Sequence, residues 1–136
     1  MPVDFQTEPL AERLRQAGID FDRAAFYSWL GVTPYLEAFA IDDVLRVIAS
    51  GGRGTEVVLS FAPAGDTPTA VAAMAAAVGE EFRSQFTPAS LDAKLRQLGF
   101  GEVDFLTPAD AAARYFANRG EGLTPPRRVS IVRARV

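Results

Sequence analysis

The stretch Ser28-Trp29-Leu30-Gly31-Val32-Thr33-Pro34-Tyr35-Leu36 has the residue types and spacing that say most about chemistry. It runs from an apolar, aromatic strand end through a glycine turn towards a helix start. Such a junction either presents backbone groups and Tyr35 to a ligand, or buries Trp29 and Leu30 with Gly31 as a tight turn. Asp4-Phe5 is the second candidate. A carboxylate beside a ring accepts a hydrogen bond from an adenine amine or a ribose while the ring stacks on the base; the alternative is a solvated aspartate. Other chemistry is removed by composition. The 136 residues contain neither cysteine nor histidine, so thiolates, disulfides, imidazole bases and the usual zinc ligands are excluded. Ser28 and Ser60 therefore lack a triad partner.

The remaining motifs read as structure. Gly51-Gly52-Arg53-Gly54 lies between a helix pattern and a strand pattern, whereas a phosphate loop leads from strand to helix, so it predicts a helix stop and a turn. The carboxylate pairs Asp42-Asp43, Glu80-Glu81 and Glu102/Asp104 sit in helix or loop patterns and predict solvated surface, not a metal site. Arg127-Arg128 with Arg133 and Arg135 make a basic end that could meet an acidic partner. Without interleaved aromatics they are no nucleic-acid signal. The net charge of -3 points the same way.

A composition of 49% hydrophobic and 23% charged residues predicts a single globular domain over 1–136. The longest apolar run, Ala70 to Val78, is far short of the roughly 20 residues of a membrane span. Met1-Pro2-Val3-Asp4 has neither a basic start nor an apolar signal core, which predicts a cytoplasmic setting. Lys94 is the only lysine among 14 basic residues. Thr33-Pro34, Thr67-Pro68, Thr87-Pro88 and Thr107-Pro108 each precede helix formers, and threonine caps with proline at the first position predict sharp helix starts. Thr124-Pro125 reads as a turn. A further helix follows Thr7, with Leu10, Leu14 and Ala17 on one face and a stop at Gly18.

Strand patterns fall at Ala25 to Leu30, Glu56 to Phe61, Val103 to Leu106 and Arg128 to Val136, with a short one at Pro2 to Phe5. Glu56 to Phe61 reads as buried on both faces. Strands alternating with helices predict an α/β fold with a mostly parallel sheet, the direction of the last strand being undecided. Ligands in such sheets bind at the carboxyl ends of the strands.

Phe26-Tyr27-Ser28-Trp29-Leu30-Gly31-Val32-Thr33-Pro34-Tyr35-Leu36 resembles the fourth-strand motif of bacterial class I S-adenosylmethionine-dependent methyltransferases. The branch is the leucine carboxyl methyltransferase-like and polyketide-type O-methyltransferase one. Val3-Asp4-Phe5 resembles its Val-Asp-Leu motif. Ile48-Ala49-Ser50 with Thr55-Glu56-Val57-Val58 resembles its approach to the fifth strand. Phe86-Thr87-Pro88, Leu95 to Phe100 and Ala113 to Phe116 resemble its C-terminal region. The similarity covers nearly the whole chain. It implies a partial Rossmann-like sheet with flanking helices that lacks the first strands, since nothing before Val3 resembles the glycine-rich first loop or the acidic second strand. Leu30 stands where many relatives carry a glutamate.

The resemblance implies S-adenosylmethionine as cofactor and transfer of its methyl group to an oxygen of a small-molecule or carboxylate acceptor. Asp4 and Phe5 would meet the adenine, while Ser28, Leu30 and Gly31 would line the cofactor pocket. Tyr35, with Tyr115 and Arg119, would border the acceptor. It also leaves the strand Phe26 to Leu30 at a sheet edge, which invites a second copy or a chain supplying the missing N-terminal half. Two other readings remain: a non-catalytic interaction module or split-enzyme subunit built on this fold, and an unrelated small α/β binding protein with another strand order.

Overall fold

The computed structural model describes residues 4–5, 7–65, 73–74, 76–79, 81–118, 122–125 and 127–136. The second half of the chain folds back on the first through a four-stranded sheet. Its strands are β1 (Phe26–Trp29), β2 (Glu56–Ser60), β3 (Glu102–Phe105) and β4 (Ile131–Arg135). The spatial order is β1-β2-β4-β3. β1 runs parallel to β2, whereas β4 enters antiparallel between β2 and β3. Three strands thus share one direction, and the last, undecided from sequence, reverses it. The sheet is mixed, in an α/β fold.

The helices are α1 (Leu10–Gln16), α2 (Ala38–Ala49), α3 (Pro88–Gln97) and the single turn α4 (Pro108–Ala111), which continues into a π-turn over Ala112–Phe116. The apolar stripe of α2, Ala40, Ile41, Val44, Leu45 and Ile48, is wholly buried, and Leu91 and Leu95 of α3 are buried with it. The register places Trp29, Leu59 and Val132 in one row, with Val57 and Ala134 in the next, all on the covered face. Period-2 alternation then sends Phe26, Ser28, Val58, Arg133 and Asp104 to the opposite face.

That second face is the reason β2 is not buried on both sides, as its apolar run predicts. Only Val57 and Leu59 are fully buried, and the alternate positions remain partly exposed. Polar groups occupy the face instead. The Arg133 guanidinium lies 3.0 Å from Glu56, 3.5 Å from Asp104 and 3.6 Å from Glu102. Arg133 and Arg135 are thus matched by carboxylates of the same sheet, whereas Arg128 donates to the Gly65 carbonyl. A second ion pair, Lys94 Nζ to Asp42 Oδ1 at 2.6 Å, ties α3 to α2. The single lysine and one of the supposed surface acids are therefore a half-buried tie between helices.

Two of the threonine-proline starts act as caps. Thr87 forms a reciprocal capping box with Ser90, and Thr107 accepts from the Asp110 N–H. Thr33 does not. Thr33–Tyr35 is a 3-10 turn, and α2 begins at Ala38 without a side-chain cap. The Thr33 hydroxyl is 1% exposed and donates to the Ser60 carbonyl at 2.6 Å, because a buried hydroxyl needs a partner and the end of β2 offers one. Thr67-Pro68 and Gly120 lie outside the described residues. So do Pro2 and Val3 of the short first strand; Asp4 and Phe5 form a turn, with the Asp4 carbonyl accepting from Thr7 and Glu8. The glycine run is a helix stop and turn, as expected. A Cβ on Gly52 would sit 2.6 Å from the Asp22 carbonyl oxygen.

Leu45 is completely buried between α2 and the sheet. Leu45→Ala is expected to cost about 2–5 kcal/mol in denaturant unfolding; a change below about 1 kcal/mol would mean that this core is not formed. Burial also raises the Tyr27 phenol above its ordinary value. The folded chain then holds that proton to higher pH than the unfolded chain, so its contribution is complete below about pH 10 and is lost as pH rises further. Between about pH 9 and pH 11, the wild type should lose more stability than Tyr27→Phe in parallel denaturant titrations; superimposable profiles would contradict this.

Candidate functional site at the carboxyl rim of the sheet

β1 and β2 end side by side, and Ser60 fastens the turn that follows β1. The Gly31 N–H donates to Ser60 Oγ at 2.7 Å, and the Thr33 hydroxyl to the Ser60 carbonyl at 2.6 Å. Gly31 has φ +72°, a conformation that favours glycine, and no atom lies within 4 Å of where a Cβ would be. The turn is therefore held rigidly by its neighbour strand while its backbone faces open space. The next residues are pinned from the other side. The Arg83 and Ser84 N–H groups both donate to the Pro34 carbonyl, at 2.7 and 3.2 Å. The Ser84 hydroxyl donates to the Leu36 carbonyl at 2.6 Å.

Phe5 reaches this rim through ring packing on Trp29, with centroids 5.9 Å apart and planes tilted by 57°. Asp4 is exposed beside it, and its Oδ2 accepts from the Thr7 hydroxyl at 2.8 Å. The Trp29 indole N–H is buried and meets no acceptor among the described residues. A buried donor without a partner costs roughly 1–3 kcal/mol. An open glycine backbone, a ring packed on an indole and a neighbouring carboxylate are groups that could hold an adenosine.

The sequence-predicted residues divide into three places. Phe5 packs on Trp29 at the end of β1, with Asp4 next to it in the chain, and Leu30 and Gly31 follow Trp29. The Ser28 side chain is exposed on the face opposite Trp29, as is Leu30, which is 53% exposed. Tyr35 makes an edge contact with Phe82 at 5.8 Å, beside a cavity of about 500 Å³ bordered by Pro34, Phe61, Phe82 and Arg127. Tyr115 lies apart from Tyr35, on a cavity of about 520 Å³ with Asp110, Arg114 and Ile131 at the end of β3. Arg119 lies outside the described residues. Sequence reasoning missed Ser60 and Phe82. Ser60 was recognisable as the last residue of a strand whose neighbour ends in a glycine turn; Phe82 carried no signal.

Comparison with known proteins bears on the fold. The family model for leucine carboxyl methyltransferase matches residues 1–49. No curated protein matches the chain. Among solved structures, a DUF574 family protein from Streptomyces avermitilis has a TM-score of 0.61 at 16% identity, covering 99% of this chain and 53% of that one. Human N-acetylserotonin methyltransferase, solved with SAM, has a TM-score of 0.55 at 15% identity, covering 99% of this chain and 32% of that one. The S-adenosylmethionine-dependent methyltransferase SibL has a TM-score of 0.50 at 16% identity, covering 91% and 38% respectively. The chain thus spans about a third to a half of the structures that it resembles. Residues 1–49 carry the leucine carboxyl methyltransferase family pattern, on a chain with the fold of S-adenosylmethionine-dependent methyltransferases.

Proposed function

We propose that this chain forms the adenosine-facing part of an S-adenosylmethionine-dependent methyltransferase, acting on an oxygen of a small-molecule or carboxylate acceptor. The observation that carries this reading is the seating of Phe5 on Trp29 beside the open Gly31 turn, within the segment matched by the family model. Asp4 accepts from the adenine amine and Phe5 flanks the base. Ser28, Leu30 and Gly31 line the rest of the rim. Tyr35, fixed by Phe82, borders the acceptor; Tyr115, on a separate cavity, takes no part in that site.

S-adenosylmethionine, when bound, supplies a methyl group on a sulfonium. The acceptor oxygen would take that methyl group as its bond to sulfur breaks, leaving a neutral thioether. A carboxylate acceptor needs no base, which suits a chain without histidine; holding the acceptor in line supplies most of the rate. The aromatic faces of Tyr35 and Phe82 attract a cation at the rim. Among the described residues, no group of carboxylates is placed to hold a metal, and no helix is long and apolar enough to cross a membrane. A cytoplasmic setting, and a single domain corresponding to the later part of a methyltransferase fold, belong to the same reading.

A second reading is favoured by one observation. Among the described residues, β1 has a strand neighbour on one side only, as expected of an interaction module or split-enzyme subunit. Calorimetric titration with S-adenosylhomocysteine separates the two. Saturable binding at one site is expected, weakened about tenfold or more by Asp4→Ala through loss of a charged acceptor. No heat and no rise in melting temperature with this ligand would overturn the cofactor reading and leave the module.

A further inference from the structure

The cavity of about 500 Å³ beside Tyr35 lies just beyond the end of β2. Its walls come from separate segments of this chain: Pro34 after β1, Phe61 to Pro63 continuing β2, and Arg127 and Arg128 on the approach to β4, with Phe82 beside them. Backbone hydrogen bonds tie these segments down. The Phe61 N–H donates to the Ser130 carbonyl at 2.9 Å, the Phe86 N–H to the Ala62 carbonyl at 2.9 Å, and the Ala64 N–H to the Phe86 carbonyl at 2.8 Å. The Pro34 carbonyl accepts from Arg83 and Ser84. The Arg128 guanidinium donates to the Gly65 carbonyl at 3.1 Å, which fastens the approach to β4 onto the loop after β2. The space is therefore formed before any ligand enters, and it has the size of a small-molecule site.

Its lining combines apolar surface with one sign of charge. Rings, prolines and an alanine make up most of it, and the Phe82 ring is held by its edge contact with Tyr35. The charges among the described lining residues are the two arginines, with no carboxylate between them. On a chain of net charge -3 this reverses the local sign. Arg133 and Arg135 differ, since they meet Glu56, Glu102 and Asp104. Arg127 is exposed where it borders the cavity, and its guanidinium meets neither a carboxylate nor a carbonyl among the described residues. A guanidinium presents its donors in a planar fork that matches a carboxylate. We propose that this cavity binds an aromatic carboxylate, its ring against Phe82 and its anion on Arg127, and that such a compound is the methyl acceptor. The role as acceptor rests on the methyltransferase reading above; the binding does not. A neutral ring leaves Arg127 without an anion, and an aliphatic anion leaves Phe82 uncovered, so the two parts of the lining select together.

The test titrates the whole 136-residue chain in a calorimeter with two probes of one shape, naphthoate and the neutral naphthamide. Naphthoate is expected to bind at one site, about tenfold or more tightly than naphthamide, because a charge-assisted hydrogen bond is made only by the anion. Added salt should weaken naphthoate and leave naphthamide unchanged. Arg127→Gln changes an exposed side chain, so the fold is retained, as circular dichroism checks. It should abolish the preference while naphthamide binds as before. Arg53→Gln, in the turn before β2, removes the same charge elsewhere and should keep the preference. No binding of naphthoate, equal affinity for the two probes, a preference that survives Arg127→Gln, or one lost equally in Arg53→Gln would overturn the site. S-adenosylhomocysteine titrated in parallel separates the two readings. If it binds and naphthoate does not, this inference falls and the cofactor reading stands. If naphthoate binds with its preference and S-adenosylhomocysteine gives no heat, the carboxylate site stands and its role as acceptor site falls.

Discussion

Ser60 ends β2 with two hydrogen bonds to the segment that follows β1: its side-chain oxygen accepts from Gly31, and its carbonyl accepts from Thr33. Both groups on the β1 side have few alternatives. Gly31 holds a left-handed conformation, and the Thr33 hydroxyl is buried. The clasp fixes the path from β1 into the 3-10 turn. That path sets Tyr35 against Phe82 and leaves the Gly31 backbone facing space. Without it, β1 would be held by a short ladder of four residues, and the rim would have no defined geometry.

The sheet that carries this rim is assembled across the chain. β4 is the last strand, yet it lies between β2 and β3 and pairs with both. Closing that arrangement brings together residues more than 70 apart, such as Val58 and Arg133, so loop-closure entropy must be offset by burial. The covered face supplies it through α2, α3 and the rows Trp29-Leu59-Val132 and Val57-Ala134. The other face carries the Arg133 network, partly exposed and worth little in stability, but specific in register because each carboxylate lies on a neighbouring strand. Arg133 Nε sits within ion-pair distance of Glu56 without making a directed hydrogen bond, which is consistent with a charge match that orders strands more than it stabilises them.

Much of this was legible in the residues. The i, i+3, i+4 spacing from Ile41 to Ile48, the capping pattern at Thr87 and the apolar run in β2 each reflect local physics, and local physics decided those elements. Thr33 shows the limit. Its Thr-Pro signature is the same as at Thr87, but a neighbouring strand end offered its hydroxyl a better acceptor than the helix did. The open second face was likewise invisible, because an apolar run predicts burial without saying how many layers are available. The placement of Phe5 on Trp29 was not legible in the residues. Contacts between residues 24 apart follow from topology, not from spacing. Ser60 and Phe82 escaped notice because their importance comes from what they touch.

Trp29 is the chain's single tryptophan, and its buried indole N–H beside Phe5 makes it a unique reporter of the rim. Nitrogen-15 spectra recorded while S-adenosylhomocysteine is added would therefore test the central claim most directly. The account predicts that the lone indole resonance and the amides of Phe5, Leu30 and Gly31 move together along one saturable curve, while those of α3 stay still. Shifts confined to α3 or to the cavity around Tyr115, with the indole unmoved, would contradict it.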